Sequence, residues 1–478
     1  MSDMNDLFYP KNVAIIGVSI HPIKGGGFVT ALNRSKFPKT VYYVNPNRSE
    51  VYGRKVIPTI LDVPEIVDLA IIAVPARKCP EILKQCSGKV KYAVIFSSGF
   101  SEVGNKELEE ETVKIAKEGN IRLIGPNCLG VHCNKSRLAF MPGQDVGNLG
   151  NVGFISQSGG HAGTFTLLAN GKGIKFNKTV SIGNQCDLAI QDFIEYFGND
   201  DEIKVIGVYI EDVKRDNFYK KVKGVTKKKP VIIWKGGVTK DGKRAAFSHT
   251  GALAMDNDLL APIMKQTGVI MTDSIDELGD TIYSTLLLKN KLPKGKNIGI
   301  IVGGGGSSVE ITDACAKEGL NLPQLSSETK SKIAKIIPDV NTSVKNPVDM
   351  GGSGFFPDIF RRILKFVSVD PKIDALITYQ MPERFYWFNE RIRASGLSNF
   401  DYGTEIAKAY KRIRKHILKP LICIIPRIIE TSLEIENIRI QLIKNLNDLK
   451  IPTFSSITRG AKVYYRLNEY YNYLQRQK

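Results

Sequence analysis

A chain of 478 residues with 42% hydrophobic content exceeds what one core accommodates and predicts about three domains of roughly 100–200 residues each. No apolar run approaches the ~20 residues that span a bilayer, and the start, MSDMNDLFYPKNVAIIG, has no basic segment ahead of its apolar one, so neither a membrane protein nor a secreted one is expected and the cytoplasm is predicted. The net charge of +19, from 67 Lys and Arg against 48 Asp and Glu, would suit nucleic acid or a phosphate-rich ligand, but the basic residues are spread and mixed with acids, which reads as a solvated lysine-rich surface and no nucleic-acid partner.

The first predicted elements are apolar, β-branched runs at 12–19 (NVAIIGVS), 41–46, 69–75, 92–99 and 122–127, with a helical pattern over 106–119 between the last two. Continuous apolar strands separated by helices predict a parallel sheet covered on both faces. The pattern restarts at 151–160 (NVGFISQSGG), with further strands at 179–184, 204–211 and 230–237, and again at 297–308 (NIGIIVGGGGSS), with strands at 374–380, 421–426 and 451–456. Three doubly wound α/β units follow, with ligands expected at the strand C-terminal ends. The stretches 141–150 and 286–296 are the expected linkers, where Gly, Pro or Lys interrupts the periodicity. Seven cysteines without a C-x-x-C pair suggest neither a disulfide framework nor a zinc site, and no metal site is predicted.

Several turns carry candidate chemistry. The turn after the first strand, GVSIHPIKGGGF, offers backbone N–H groups and a helix N-terminus to a pyrophosphate, or is only a structural turn. It does not spell G-x-G-x-x-G, and the second strand ends in Asn45-Pro46 where an NAD site usually has an acid for the ribose. The tract from Gly237 to Arg244 nearly spells a P-loop, yet Arg244 stands where a magnesium-binding Ser or Thr is needed, so it reads as a basic loop leading onward. The turn Ser156-Gln157-Ser158-Gly159-Gly160, ahead of a helical stretch, is either a phosphate cradle or a tight connection. His249 sits among Ser248, Thr250 and Gly251, where a neutral imidazole could carry a phosphoryl group, and Glu211, at the end of the strand VIGVYIE, could orient it; both could equally be surface residues.

Together IGPNCLG (124–130), GNVGFISQSGG (150–160), SIGNQCDLAIQDFIEYF (181–197), the YIED glutamate, the SHTGA histidine and SVKNPVDMGG (343–352), in that order, resemble the α subunit of the ADP-forming acyl-CoA synthetases (acetate–CoA ligase type), relatives of succinyl-CoA synthetase. The resemblance covers nearly the whole chain. It implies a CoA-binding Rossmann-like domain (1–143), a flavodoxin-like ligase domain (144–290) carrying a phosphohistidine, and a third α/β domain of succinyl-CoA-synthetase type (291–478). It implies that His249 accepts a phosphoryl group, that Glu211 orients the imidazole, and that Gln157, Ser158, Gly159 and Gly160 hold phosphate. CoA would lie against Gly17, Val18, Ser19, Asn45, Pro46, Asn47, Val74, Pro75, Ser97, Ser98, Asn127 and Cys128, with Cys128 lining the thiol end. No stretch resembles the ATP-grasp domain that binds ADP or ATP and Mg2+ in this family, so a separate β subunit and an α/β hetero-oligomer are expected. The competing expectations are a CoA-binding regulatory relative without phosphoryl transfer and an NAD-linked dehydrogenase.

Overall fold

The computed structural model describes residues 4–213, 217–250, 257–396, 401–428 and 432–478, with the side chains of 168, 247–250 and 257–259 outside that description. It divides into two compact units, Met1–Ile282 and Tyr283–Lys478. The first unit contains two sheets. Strands β1 (Asn12–Ile16), β2 (Thr40–Val44), β3 (Val67–Ile72), β4 (Val90–Ile95) and β5 (Arg122–Ile124) form a parallel sheet in the order β2-β1-β3-β4-β5. The reason is visible in the side chains, because successive residues of a strand point to opposite faces. Val13, Ile15, Leu69 and Ile71 enter one core, while Ala14, Ile16, Ala70 and Ile72 enter another on the far face. Helix α1 (Gly25–Ser35) follows β1, and α2 (Lys106–Glu118) follows β4.

The second sheet runs β6 (Gly130–Cys133), β7 (Val152–Ser156), β8 (Phe176–Ser181), β9 (Val205–Ile210), β10 (Val231–Lys235) and β11 (Ile270–Thr272), ordered β11-β10-β9-β7-β8-β6. All its pairings are parallel except β6 with β8. Its residues Ile155, Val180, Ile206 and Val208 belong to the same core as Val13 and Ile15, so the two sheets of this unit share one interior. Helix α3 (Gly159–Leu168) follows β7, and α4 (Lys240–Thr250) follows β10.

The second unit repeats the winding. Strands β12 (Ile298–Val302), β13 (Val348–Asp349), β14 (Ala375–Tyr379), β15 (Leu421–Ile424) and β16 (Thr453–Phe454) are parallel in the order β13-β12-β14-β15-β16. Its core gathers Ile301, Leu376, Phe360, Tyr410 and Cys423, among others. The parallel α/β class expected from the apolar runs is the one observed. Among the described residues no helix is long and apolar enough to cross a membrane, and no group of three His, Cys, Asp or Glu could hold a metal ion.

One expectation is corrected. The tract from Gly237 to Arg244, read as a loop, is helical from Lys240 onward. Thr239 explains this: its Oγ1 accepts the N–H of Gly242 at 3.0 Å, the cap that starts a helix, and Asp241 places negative charge in the first turn.

The antiparallel edge contains a titratable group with a predictable signature. His132 on β6 is 1% exposed, and its Nε2 donates to the Asp145 carbonyl at 3.0 Å. Burial pulls its pKa from 6.5 to about 4. The unfolded chain therefore takes up a proton below about pH 6.5 that the native chain refuses. The stability contribution is complete above that value and falls by about 1.4 kcal/mol per pH unit as pH drops toward 4. Urea unfolding at pH 7 and pH 5 should show a loss of about 2 kcal/mol from this group, absent in His132→Gln. An equal loss in the variant would assign the pH dependence elsewhere.

Candidate functional site

The loops that leave the C-terminal ends of the first sheet hold every residue expected to meet CoA. Gly17-Val18-Ser19 follow β1, Asn45-Pro46-Asn47 follow β2, Val74-Pro75 come two residues after β3, Ser97-Ser98 two residues after β4, and Asn127-Cys128 three residues after β5. The winding order reverses between β1 and β3, which is where open α/β sheets leave a crevice. Gly17 is essential to that crevice's floor. Its φ is +85°, and a Cβ there would lie 2.5 Å from the Ala73 carbonyl oxygen, so only glycine lets the two loops approach.

These loops are tied to one another. The Asn45 side chain donates to the Val18 carbonyl at 2.8 Å, and its Oδ1 accepts the Asn47 N–H at 3.0 Å. Ser97 Oγ donates to the Val74 carbonyl, and the Ser97 carbonyl accepts the Asn127 N–H at 3.0 Å. Val18 itself is fully buried, backbone included, and supports the crevice's floor from within. Cys128 is 3% exposed, and burial pushes its thiol up to about 12. A thiol held protonated in this way is a poor nucleophile, and its Sγ donates to the carbonyls of Ile95 and Ile124 at 3.6 Å each.

The serine- and glycine-rich turn after β7 faces the same space. Ser158 caps α3 by accepting the His161 N–H at 3.3 Å, and Ser156 Oγ fixes the turn by donating to the Ser158 carbonyl at 2.6 Å. The N–H groups of Gly159 and Gly160 begin the helix, where intrahelical acceptors do not exist and anions are favoured. Gln157 points the other way: its Oε1 accepts the N–H groups of Glu211 and Asp212 at 2.8 and 3.2 Å. The turn thereby holds the end of β9. Glu211 is 5% exposed, receives the Tyr209 hydroxyl at 3.0 Å on Oε1, and its carbonyl accepts Lys235 Nζ at 3.2 Å. Burial lowers the pKa of that lysine despite the opposing pull of Asp212. His161, which follows the turn, packs on the rings of Tyr209 and Trp234 at 4.5 and 4.9 Å.

His249 falls within α4, but its side chain lies outside the described residues. The backbone of α4 lies against the turn Ser101–Val103. That turn is pinned by Glu102, whose carboxylate accepts Asn184 Nδ2 at 2.6 Å and the Gly99 N–H at 2.5 Å. Burial opposes the charge on Glu102, yet these donors outweigh it and hold the carboxyl below its ordinary value.

A cavity of about 590 Å³ joins the pieces. Asn127 and Cys128 line it from the first sheet, Gln157 to Gly160 from the second, and Gly183 and Asn184 from the loop after β8. The remaining expected CoA residues lie along the same sheet edge but do not line this cavity. Sequence reasoning missed Gly183 and Asn184 as site residues although both stand in the SIGNQCD stretch; the glycine followed by two polar amides was the available signal.

Comparison with known proteins now bears on this geometry. Residues 11–134 match a CoA binding domain, 149–284 the succinyl-CoA ligase like flavodoxin domain, and 298–389 a ligase-CoA domain. The Pyrococcus furiosus acetate–CoA ligase [ADP-forming] II subunit alpha is 37% identical over 402 residues, which cover 82% of this chain and 86% of that protein. The chain belongs to the ADP-forming acetate–CoA ligase family. Another family member, acetate–CoA ligase [ADP-forming] I of Archaeoglobus fulgidus, is 37% identical over 79% of this chain and 55% of its own length. The chain spans about half the length of the first such curated relatives it matches. Among solved structures, a dinucleotide forming acetyl-coenzyme A synthetase 1 of Ca. Korarchaeum cryptofilum, in complex with phosphate and ADP, superposes with a TM-score of 0.82 at 29% identity. That match covers 100% of this chain and 99% of the other, so the family's α/β architecture extends through both units.

Proposed function

We propose that this chain is the α subunit of an ADP-forming acyl-CoA synthetase, catalysing acyl-CoA + ADP + Pi ⇌ acid + CoA + ATP. The observation that carries this reading is the single cavity lined by both Asn127-Cys128 and the Gln157–Gly160 turn. It gives a thioester and a phosphate one place to meet. Residues 1–143 form the CoA-binding domain on this reading, 144–290 the ligase domain and 291–478 the third domain.

The steps follow from what the residues can do. The backbone N–H groups at Gly159 and Gly160 hold phosphate at the start of α3. A phosphate oxygen attacks the acyl carbon, the C–S bond breaks and CoA leaves as thiolate, giving an acyl phosphate. The imidazole of His249 then attacks phosphorus, the P–O bond to the acyl group breaks and the acid departs. Glu211, fixed by Gln157 and Tyr209, orients and balances the charge of the phosphorylated ring. Transfer to ADP completes the cycle on a separate ATP-grasp β subunit that binds nucleotide and Mg2+. Cys128 takes no covalent part. We place the hetero-oligomer in the cytoplasm.

A ligand that binds the native chain raises its unfolding temperature as ln(1 + [L]/Kd). CoA at 1 mM should raise the midpoint of the full chain by several degrees, and NAD should not. The side chain of Asn45 is already committed to Val18, and no acid stands beside it to take a ribose. A shift with NAD and none with CoA would replace this reading with a dehydrogenase.

A further inference from the structure

His161 stands where the phosphate turn meets the carboxylate proposed to serve His249. Its backbone belongs to the turn, because its N–H donates to Ser158 Oγ at 3.3 Å. Its side chain leaves the turn and does not line the cavity. The imidazole instead meets the Tyr209 ring edge to face, at 4.5 Å between centroids and 84° between planes, and lies tilted on Trp234 at 4.9 Å. Tyr209 and Trp234 are paired across β9 and β10, and their own centroids lie 4.5 Å apart. Ring contacts of this kind are directional, and here they fix Tyr209 from two sides. Gly236 completes the enclosure: a Cβ there would lie 2.6 Å from the Tyr209 hydroxyl, so the hydroxyl fills the space a side chain would need.

The enclosed hydroxyl donates to Glu211 Oε1 at 3.0 Å, two residues along the same strand face. Tyr209 is 7% exposed, and burial, followed by the Glu211 charge, raises its pKa, so it stays a donor. The backbone of Glu211 is held separately, by Gln157 at the N–H and Lys235 at the carbonyl. The Tyr209 hydrogen bond adds a restraint on the carboxylate itself. Resting on the ligase reading above, we infer that His161 is a positioning residue, whose ring keeps the Tyr209 hydroxyl on Glu211 and so aims the carboxylate at the phosphorylated imidazole. One residue thereby ties the phosphate turn to the group that balances the phosphohistidine. Without the ring, Tyr209 is free to turn from Glu211, and a misplacement near 1 Å at a reacting centre costs about 10²-fold in rate.

Single-turnover labelling of the complex with γ-labelled ATP reads the affected step. His161→Leu removes the ring with little change in volume and should slow phosphorylation by about 10- to 10²-fold, while CoA binding stays within about twofold of wild type. His161→Phe restores a ring and should bring the rate to within about threefold of wild type. The deciding readout is coupling: His161→Leu added to Tyr209→Phe should cost no more than about a further twofold, because residues that act through one contact are not additive. A leucine variant as fast as wild type, a phenylalanine variant as slow as the leucine one, or losses that multiply in the double variant would overturn the inference and leave the ligase reading intact. Thermal unfolding with and without CoA reports that each variant is folded, and His161→Ala takes the place of the leucine variant should that one not fold. If the wild-type complex takes up no label while turning over, the phosphohistidine and this inference fall together.

Discussion

His249→Asn is expected to lower the rate of acid, CoA and ATP formation by the complex with its ATP-grasp partner by at least about 10⁴-fold, the scale on which removing a nucleophile acts. Asparagine has no ring nitrogen to bond phosphorus. It is close to histidine in helix preference, so α4, which carries position 249, should persist, and the unfolding free energy should change by less than about 0.5 kcal/mol. The variant should still form acyl phosphate from acyl-CoA and phosphate, because that step uses the Gln157–Gly160 turn and the CoA edge. Trapping with hydroxylamine would detect it as the hydroxamate. Full turnover by the variant would remove the histidine from the mechanism.

Gly183→Ala should damage the site without touching any group that reacts. Gly183 has φ +52°, and a methyl there would overlap the Pro126 carbonyl oxygen and lie 2.5 Å from that of Asn127. Three further contacts fasten the same two loops: the N–H groups of Asn184 and Cys186 donate to the carbonyls of Pro126 and Gly125 at 3.0 Å each, and that of Leu188 to Leu123 at 3.1 Å. The strained dihedral and the overlap together should cost about 2–5 kcal/mol of stability. The chain relieves the overlap by moving the Pro126–Cys128 loop, and a displacement near 1 Å at a reacting centre costs about 10²-fold in rate. Urea unfolding and a steady-state assay of the complex measure both. A variant with wild-type stability and rate would mean that the loop is not held as described.

The sequence made the sheets legible wherever burial is two-sided. Runs such as NVAII and VIGVYI are buried at every position, and an unbroken apolar run is what a strand covered on both faces requires. Strands β6, β11 and β13, of two to four residues, went unread, while β5 and β16, of three and two, were legible only as part of the longer runs 122–127 and 451–456. Tertiary pairing defines them. The basic tract before His249 misled for a different reason: its glycine and lysines look like a loop, whereas the Thr239 cap starts a helix.

The candidate site was legible only where its residues punctuate a strand end. Glu211 and the Gln157–Gly160 turn follow buried strands directly, so their place at the sheet edge could be inferred from sequence. The apolar lining of the cavity, with Phe28, Phe140 and Met141, could not. Phe28 and Phe140 are as buried as core residues, and Met141 opens a stretch that reads as a linker. Nothing in a sequence distinguishes a phenylalanine that fills a core from one that lines a cavity. That distinction arises only when the loops of two sheets are brought face to face.

The central claim is that one imidazole carries the phosphoryl group between the acyl site and the nucleotide. The most direct test is to incubate the complex with γ-labelled ATP and Mg2+, digest at alkaline pH and locate the label by mass spectrometry. The account predicts an acid-labile, base-stable phosphate on the peptide containing His249, and none in His249→Asn. Label on another residue of this chain, or none while turnover continues, would contradict it.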